Sequence, residues 1–295
     1  MSVVVIINPV AGGRRRATSP DKRVALVERA LARHGLSGRV ELTRAAGHAS
    51  ELTRQAVAEG CTHVVAWGGD GTINEIASQL LGTGTVLGIV RAGSGNGLAR
   101  ELGIPGRAEN ALNIALVGRE RPIDVGEIEG HPFLNVAGIG FDAAMAAEFN
   151  RLGTERRGSL RYAVRAVRAA AGYQACRYVV EVDGRRFEVD AVVVAIANFA
   201  QYGSNVVIAP HAKPDDGLFD VVVVEERDTA GRIRLAPRVF HRTIDKAVGV
   251  TTLRGARVKV TSATPILFQV DGEPHSGGLA VNARIHRAAL RVKVP

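Results

Sequence analysis

The residues best suited to chemistry lie in three glycine-rich turns. They are Asn8-Pro9-Val10-Ala11-Gly12-Gly13-Arg14, Gly68-Gly69-Asp70-Gly71-Thr72 and Gly93-Ser94-Gly95-Asn96-Gly97, and each follows a short apolar run. Small residues let backbone N–H groups come close to an anion. A helix beginning near Thr72 adds its positive N-terminal end, so the second turn suits phosphate oxygens. Asp70 does not belong in a pure phosphate cradle, because a carboxylate repels phosphate. A Mg²⁺ ion between the two removes that conflict; the alternative is a tight turn with Asp70 as a cap. The first turn lacks the Lys of a Walker loop, and Gly-x-x-x-x-Gly-Lys-Ser/Thr occurs nowhere in the chain. The third has Leu98 where Gly-x-Gly-x-x-Gly requires its last glycine, and Ala92 excludes a Gly-x-Ser-x-Gly elbow around Ser94.

Carboxylates gather at two further places. The stretch Ala209–Asp220 carries Asp215, Asp216 and Asp220. Oxygen-rich loops of this kind suit Mg²⁺ or Ca²⁺, and an Asp-Asp-Gly turn before a strand explains them equally well. Val270-Asp271-Gly272-Glu273-Pro274 follows a strand, where a carboxylate on a rigid end can act as a general base; a plain hairpin turn also fits. Gly138-Ile139-Gly140-Phe141-Asp142-Ala143 matches a dinucleotide fingerprint, but arginines dominate the segment that should supply its acidic partner. Arg157, Arg161, Arg165 and Arg168 share one helical face beside Leu160, Val164 and Val167. Such a face rests on anionic lipid or simply faces water.

The elements that must position these turns alternate in the first half. Apolar runs at Ser2–Ile7, Arg39–Thr43, His63–Trp67 and Val86–Val90 read as strands. Helical stripes fall between them: Val24, Val27, Leu31 and His34; then Leu52 to Ala58; then Ile73, Ile76, Leu80 and Leu81. This alternation predicts βαβ units and a parallel sheet, whose ligands bind beyond the carboxyl ends of the strands. All three turns sit at such ends. From about Ile123 the chain turns to short β runs, at Ile123–Ile128, Phe133–Val136, Tyr178–Val182, Phe187–Val194, Val221–Val224, Val258–Thr261 and Leu267–Val270. Val182-Asp183-Gly184-Arg185 reads as a hairpin turn. No internal repeat or low-complexity segment interrupts the pattern.

Composition narrows the function classes. The 295 residues are 46% hydrophobic and 23% charged, which suits globular domains and excludes intrinsic disorder. Aromatic residues at 4% argue against a base-stacking platform. The net charge of +9 favours anionic partners, although an Ala- and Arg-rich chain is basic without function. No apolar stretch approaches the roughly 18–20 residues of a membrane span, so any membrane contact is expected to be peripheral. The two cysteines and eight histidines lack metal-site spacing. Cys61 and Cys176 read as inert thiols in a reducing cytoplasm.

Taken in order, the motifs resemble the bacterial diacylglycerol-kinase-related lipid kinases, whose catalytic domain is shared with sphingosine and ceramide kinases. The resemblance runs through Asn8-Pro9 with Gly12-Gly13, Gly68–Thr72 with Asn74-Glu75, and Gly93-Ser94-Gly95-Asn96. It continues through Ile123-Asp124-Val125-Gly126, Asn135–Asp142, Asp215-Asp216-Gly217 and Asp271-Gly272-Glu273. It implies an α/β N-terminal domain, Rossmann-like and of the NAD kinase and diacylglycerol kinase type, followed by a C-terminal β-sandwich. The first, residues 1–122 with a returning segment 285–295, would bind ATP. The second, residues 123–284, would bind lipid.

The family's nucleotide contacts carry over to Asn8, Gly12, Thr43, Gly69, Asp70, Gly71, Thr72, Asn74 and Ser94. Its structural Mg²⁺ site carries over to Asp216 with the carbonyls of Lys213 and Leu218, and its general base to Glu273. Asp124 matches an acidic position linked with Asp70 to a catalytic Mg²⁺ network. Gly97 departs from the family's usual Asp and Arg91 from its usual Pro. The expected activity is an ATP- and Mg²⁺-dependent lipid kinase acting on diacylglycerol or a related lipid or sphingoid acceptor. The enzyme is expected in the cytoplasm, peripheral at the inner membrane face, without nucleic acid as a partner; a homodimer is left open. The alternatives are a kinase of a soluble hydroxyl substrate and a catalytically silent nucleotide- or lipid-binding protein.

Overall fold

The computed structural model describes residues 2–12, 19–93, 95–151, 173–203, 205–226 and 229–295. The chain divides into two compact units, Met1–Asp124 with Arg287–Pro295, and Val125–His286.

In the first unit, strands β1 (Ser2–Ile7), β2 (Ser37–Leu42), β3 (His63–Gly68) and β4 (Val86–Arg91) lie in the order β2-β1-β3-β4. All are parallel, and Arg291 and Val292 of the chain's last strand add a further parallel pairing beside β4. β3 is buried throughout, and Val3–Ile7 of β1 are at most 1% exposed. That explains why both read as unbroken apolar runs rather than as alternation.

The helices are α1 (Pro20–His34), α2 (His48–Ala58), α3 (Asp70–Leu80), α4 (Gly97–Glu101) and α5 (Ala108–Val117). Proline opens α1 in its first turn, and Gly35 ends it in the left-handed conformation at φ 61. α3 buries Ile73, Ile76, Ala77 and Leu80. The helix expected from Leu52 starts earlier, at His48. Glu75 Oε2 accepts the Ala49 N–H and so satisfies an orphan donor in the first turn of α2.

The second unit contains β5 (Arg119–Ile128, which begins in the first unit), β6 (His131–Phe133), β7 (Val136–Gly140), α6 (Phe141–Arg151), β8 (Cys176–Val182) and β9 (Arg185–Ala197). Then come β10 (Gln201–Gly203), β11 (Val206–Val207), β12 (Phe219–Glu225) and α7 (Thr229–Phe240). The remaining strands are β13 (Val250–Gly255), β14 (Arg257–Ser262), β15 (Leu267–Val270), β16 (Glu273–Ser276) and β17 (Ala280–Val294). Antiparallel pairing runs β16-β15-β7-β9-β8-β14-β17, with β12 joining β9 to β13. Period-two alternation serves two cores. Ala137, Ile139, Val194, Ile196, Val221 and Val223 face one, and Val136, Ala195, Ala197 and Val222 face the other.

The β8–β9 hairpin closes through Asp183 and Gly184, both at positive φ, as the two-residue turn requires. The run Phe133–Val136, expected as one strand, is a junction. β6 ends at Phe133 and β7 begins at Val136, because the N–H groups of Leu134 and Asn135 turn to the carboxylate of Asp271. The arginine face at Arg157–Arg168 lies outside the described residues. No described helix is long and apolar enough to cross a membrane.

Candidate active site

The three glycine-rich turns interlock at the carboxyl ends of β1, β3 and β4. Asn8 Nδ2 donates to Thr72 Oγ1 at 3.0 Å, tying the first turn to the second, while Asn8 Oδ1 accepts the Val10 N–H. Gly69 and Gly93 meet back to back. A Cβ on Gly93 would lie 2.8 Å from Gly69 Cα, so only glycine permits this approach.

Asp70 fastens the third turn. Its Oδ2 accepts the Asn96 N–H at 2.7 Å and its Oδ1 the Gly97 N–H at 2.8 Å. The carboxylate is therefore a cap, but for the N-terminus of α4 rather than for its own helix, which begins at Asp70 with Gly69 as N-cap. Asn96, at φ 51, closes its turn through Oδ1 to Gly93 N–H and Nδ2 to Gly93 O.

The remaining expected contacts fall around this floor. Gly12 sits at φ 102, with Ala92 O 3.4 Å from the position of a Cβ. Thr43 is buried beyond β2, and its N–H donates to Ile7 O. Gly71 is exposed and Asn74 partly buried on α3. Ser94 lies outside the described residues. Asp124 is buried at 3% exposure, and its Oδ1 accepts the N–H of Ala288, a non-glycine residue at φ 50.

In the second unit, Asp271 and Gly272 form the β15–β16 turn at φ 48 and 90, with Val270 opposite Glu273. This is the hairpin turn that the sequence offered, and it carries Glu273 exposed at the first position of β16. Asp271 accepts the N–H groups of Leu134, Asn135 and Val136 at 2.7, 2.8 and 3.1 Å, locking the turn to the β6–β7 junction. Asp142, at the start of α6, accepts from Tyr202 Oη at 2.9 Å and from Gln269 Nε2 at 3.4 Å. Burial pushes its carboxyl up to about 6, against those two hydrogen bonds. The dinucleotide-like glycines have a packing role here: a Cβ on Gly138 would lie 1.5 Å from Asp142 Oδ2. His275 packs against His131 with ring centroids 3.9 Å apart and the planes tilted by 33°, and burial, then the neighbouring His131, lowers its pKa.

The loop bearing Asp216 is tied into the second unit by its own hydrogen bonds. Asp216 Oδ1 accepts the Leu218 N–H, while Oδ2 holds the guanidinium of Arg254, which also faces Asp220 Oδ2 at 3.5 Å. Arg254 is the cross-strand neighbour of Asp220, which is 3% exposed; burial raises the Asp220 pKa and the guanidinium opposes that shift. Each Asp216 oxygen thus meets one donor within the protein, as each Asp70 oxygen does.

Arg23 escaped the sequence reading. It is 3% exposed and donates from Nη1 to Asn8 O and from Nη2 to Ala11 O, at 2.9 and 2.7 Å, with its guanidinium 5.8 Å from the Trp67 ring. The signal was present: Arg23, Val27 and Leu31 are four apart on the buried stripe of α1.

A model of the diacylglycerol kinase catalytic domain matches residues 2–128, and one of the YegS C-terminal NAD kinase beta sandwich-like domain matches residues 135–294. A diacylglycerol kinase of Bacillus subtilis (strain 168) is 27% identical over 274 residues, 91% of this chain and 88% of that protein. A "Probable lipid kinase YegS-like" protein of Klebsiella pneumoniae (strain 342) is 28% identical over 284 residues, 95% of this chain and 93% of its own. A solved diacylglycerol kinase of Bacillus anthracis str. Sterne shares the fold with a TM-score of 0.76 at 18% identity, covering 100% of this chain and 97% of that one.

Proposed function

This chain belongs to the family that joins a diacylglycerol kinase catalytic domain to a YegS C-terminal NAD kinase beta sandwich-like domain, and on that premise we propose that it transfers the γ-phosphoryl group of ATP to a lipid hydroxyl. The observation that carries the reading is the interlocked floor of glycine turns at the carboxyl ends of β1, β3 and β4, where open α/β sheets bind their ligands. Asn8, Gly12, Thr43, Gly69, Gly71, Thr72, Asn74 and Ser94 hold the nucleotide. Arg23 draws the Asn8 and Ala11 carbonyls away from it.

Each Asp70 oxygen accepts one N–H and keeps a second lone pair, so Asp70, with Asp124, can still hold a Mg²⁺ carried by the triphosphate. When bound, that ion neutralises charge on the transferring phosphoryl group. Glu273, exposed on a strand end fixed by its turn, takes the proton of the attacking lipid hydroxyl. Asp216, with the backbone carbonyls of Lys213 and Leu218, would hold a second, structural Mg²⁺ that takes no part in the transfer. The net charge of +9 supports peripheral contact with an anionic membrane on the cytoplasmic side.

The test is label transfer from γ-labelled ATP with Mg²⁺ to a mixed-lipid extract, followed by chromatography. A labelled lipid supports the proposal and identifies the acceptor. Label only in a water-soluble product reassigns the chain to a soluble hydroxyl substrate. No label in any product, with ATP still bound, leaves a silent binding protein.

A further inference from the structure

The exposed carboxylate of Glu273 sits on a turn whose position depends on one buried amide. Gln269 is 2% exposed, and its Oε1 accepts the Gly272 N–H at 2.6 Å, one residue before Glu273. Its Nε2 points the other way, to Asp142 Oδ2 and Val136 O, both at 3.4 Å. The two contacts fix the amide orientation. Reversing it would set Nε2 against the Gly272 N–H and Oε1 against a carboxylate. Asp142 is itself held by the Tyr202 hydroxyl and by the Ala143 N–H at 2.9 Å. It occupies the space that Gly138, directly opposite Gln269 across β7 and β15, leaves by lacking a side chain.

We propose that Asp142 is a positioning residue for Glu273, acting through the Gln269 amide on the β15–β16 turn. This inference rests on the proposed role of Glu273 as base. The carboxylate makes Gln269 present its oxygen to Gly272. With its N–H bound, Gly272 holds φ 90 and the base leaves the turn at a fixed point of β16. Asp271 secures the same turn to the β6–β7 junction from the other side. Asp142 itself takes no part in the proton transfer.

The polarity of the pair supplies its test. Asp142→Asn leaves one acceptor oxygen to be shared among the Gln269 NH₂, the Tyr202 hydroxyl and the Ala143 N–H, so the hold on the amide weakens, and Gln269→Glu sets two carboxylates face to face. Combining them restores complementarity: the amide introduced at position 142 donates to one oxygen of the carboxylate introduced at position 269, and the Gly272 N–H donates to the other. Full-length wild type, both single variants and the double variant are compared by hydrogen exchange at the Gly272 amide and by kcat and ATP KM. Each single substitution is expected to speed Gly272 exchange and lower kcat about tenfold or more, with ATP KM within about twofold; the double variant recovers both. Unchanged exchange in the single variants overturns the proposal. Recovered exchange without recovered kcat overturns it too, because Asp142 then acts on something other than the turn. If wild type phosphorylates nothing, the kinase reading fails, while the exchange data still decide whether Asp142 orders the turn.

Discussion

Removing the Asp70 carboxylate should destabilise the protein even when no nucleotide or Mg²⁺ is present. The carboxylate accepts two backbone N–H groups, Asn96 at 2.7 Å and Gly97 at 2.8 Å, at the N-terminus of α4. Hydrogen bonds to a charged group contribute roughly 1.5–3 kcal/mol each, and the low end suits a partly exposed acceptor, so Asp70→Ala should cost about 3 kcal/mol. Asp70→Asn keeps one acceptor and turns an NH₂ against the other donor, so about half of that, ~1.5 kcal/mol, should be lost. A carboxylate whose sole task is to hold a cation behaves oppositely, since deleting it from the empty site leaves stability unchanged or higher. Urea unfolding in EDTA, followed by fluorescence of the single tryptophan, Trp67 near the end of β3, reads the first unit directly. Variants within about 0.5 kcal/mol of wild type, or more stable than it, would refute the cap.

Three further outcomes follow from the second unit. Asp142 holds its proton up to about 6, whereas the unfolded carboxyl releases it near 3.8, so its contribution to stability declines as pH rises through that window. The unfolding free energy of Asp142→Asn relative to wild type should therefore rise by about 2–3 kcal/mol from pH 4 to pH 7. Tyr173 and Tyr178, whose pKa values burial raises with a smaller contribution from the Asp142 charge, do not titrate there, and a flat difference would contradict the assignment. Gly138→Ala drives a Cβ into the Asp142 carboxylate and should cost about 3 kcal/mol, part of it recovered by adding Asp142→Ala; a fully stable single variant counts against this packing. Arg254→Met leaves Asp220 buried without its cation and should cost about 1–2 kcal/mol, discounted because the arginine is half exposed.

What could be read beforehand follows from how far apart the partners lie. The parallel sheet and its three turns were legible because local signals define them: β-branched runs, then glycines, then a 3.6-residue stripe. The Asp271-Gly272 turn was legible for the same reason. The cap made by Asp70 was not, because the donors lie 26 and 27 residues on and nothing in Gly-Gly-Asp-Gly-Thr distinguishes a carboxylate aimed at its own helix from one aimed at the next. Asp142 and Gln269 are 127 positions apart, and no local signal in the sequence announces the hydrogen bond between them or the space that Gly138 leaves for it. The Phe133–Val136 run misled because its apolar residues continue through a junction whose backbone turns to Asp271. β17 was hard to find because it alternates poorly, with partly exposed residues through its middle.

In the proposed reaction Glu273 takes the proton of a lipid hydroxyl while the glycine floor separately holds ATP. Single-turnover transfer to the identified acceptor, measured beside ATP affinity for wild type and Glu273→Gln, tests it most directly. The expected result is unchanged ATP affinity and a transfer rate reduced at least about a hundredfold, the usual scale of a lost general base. Transfer at the wild-type rate by Glu273→Gln would contradict it.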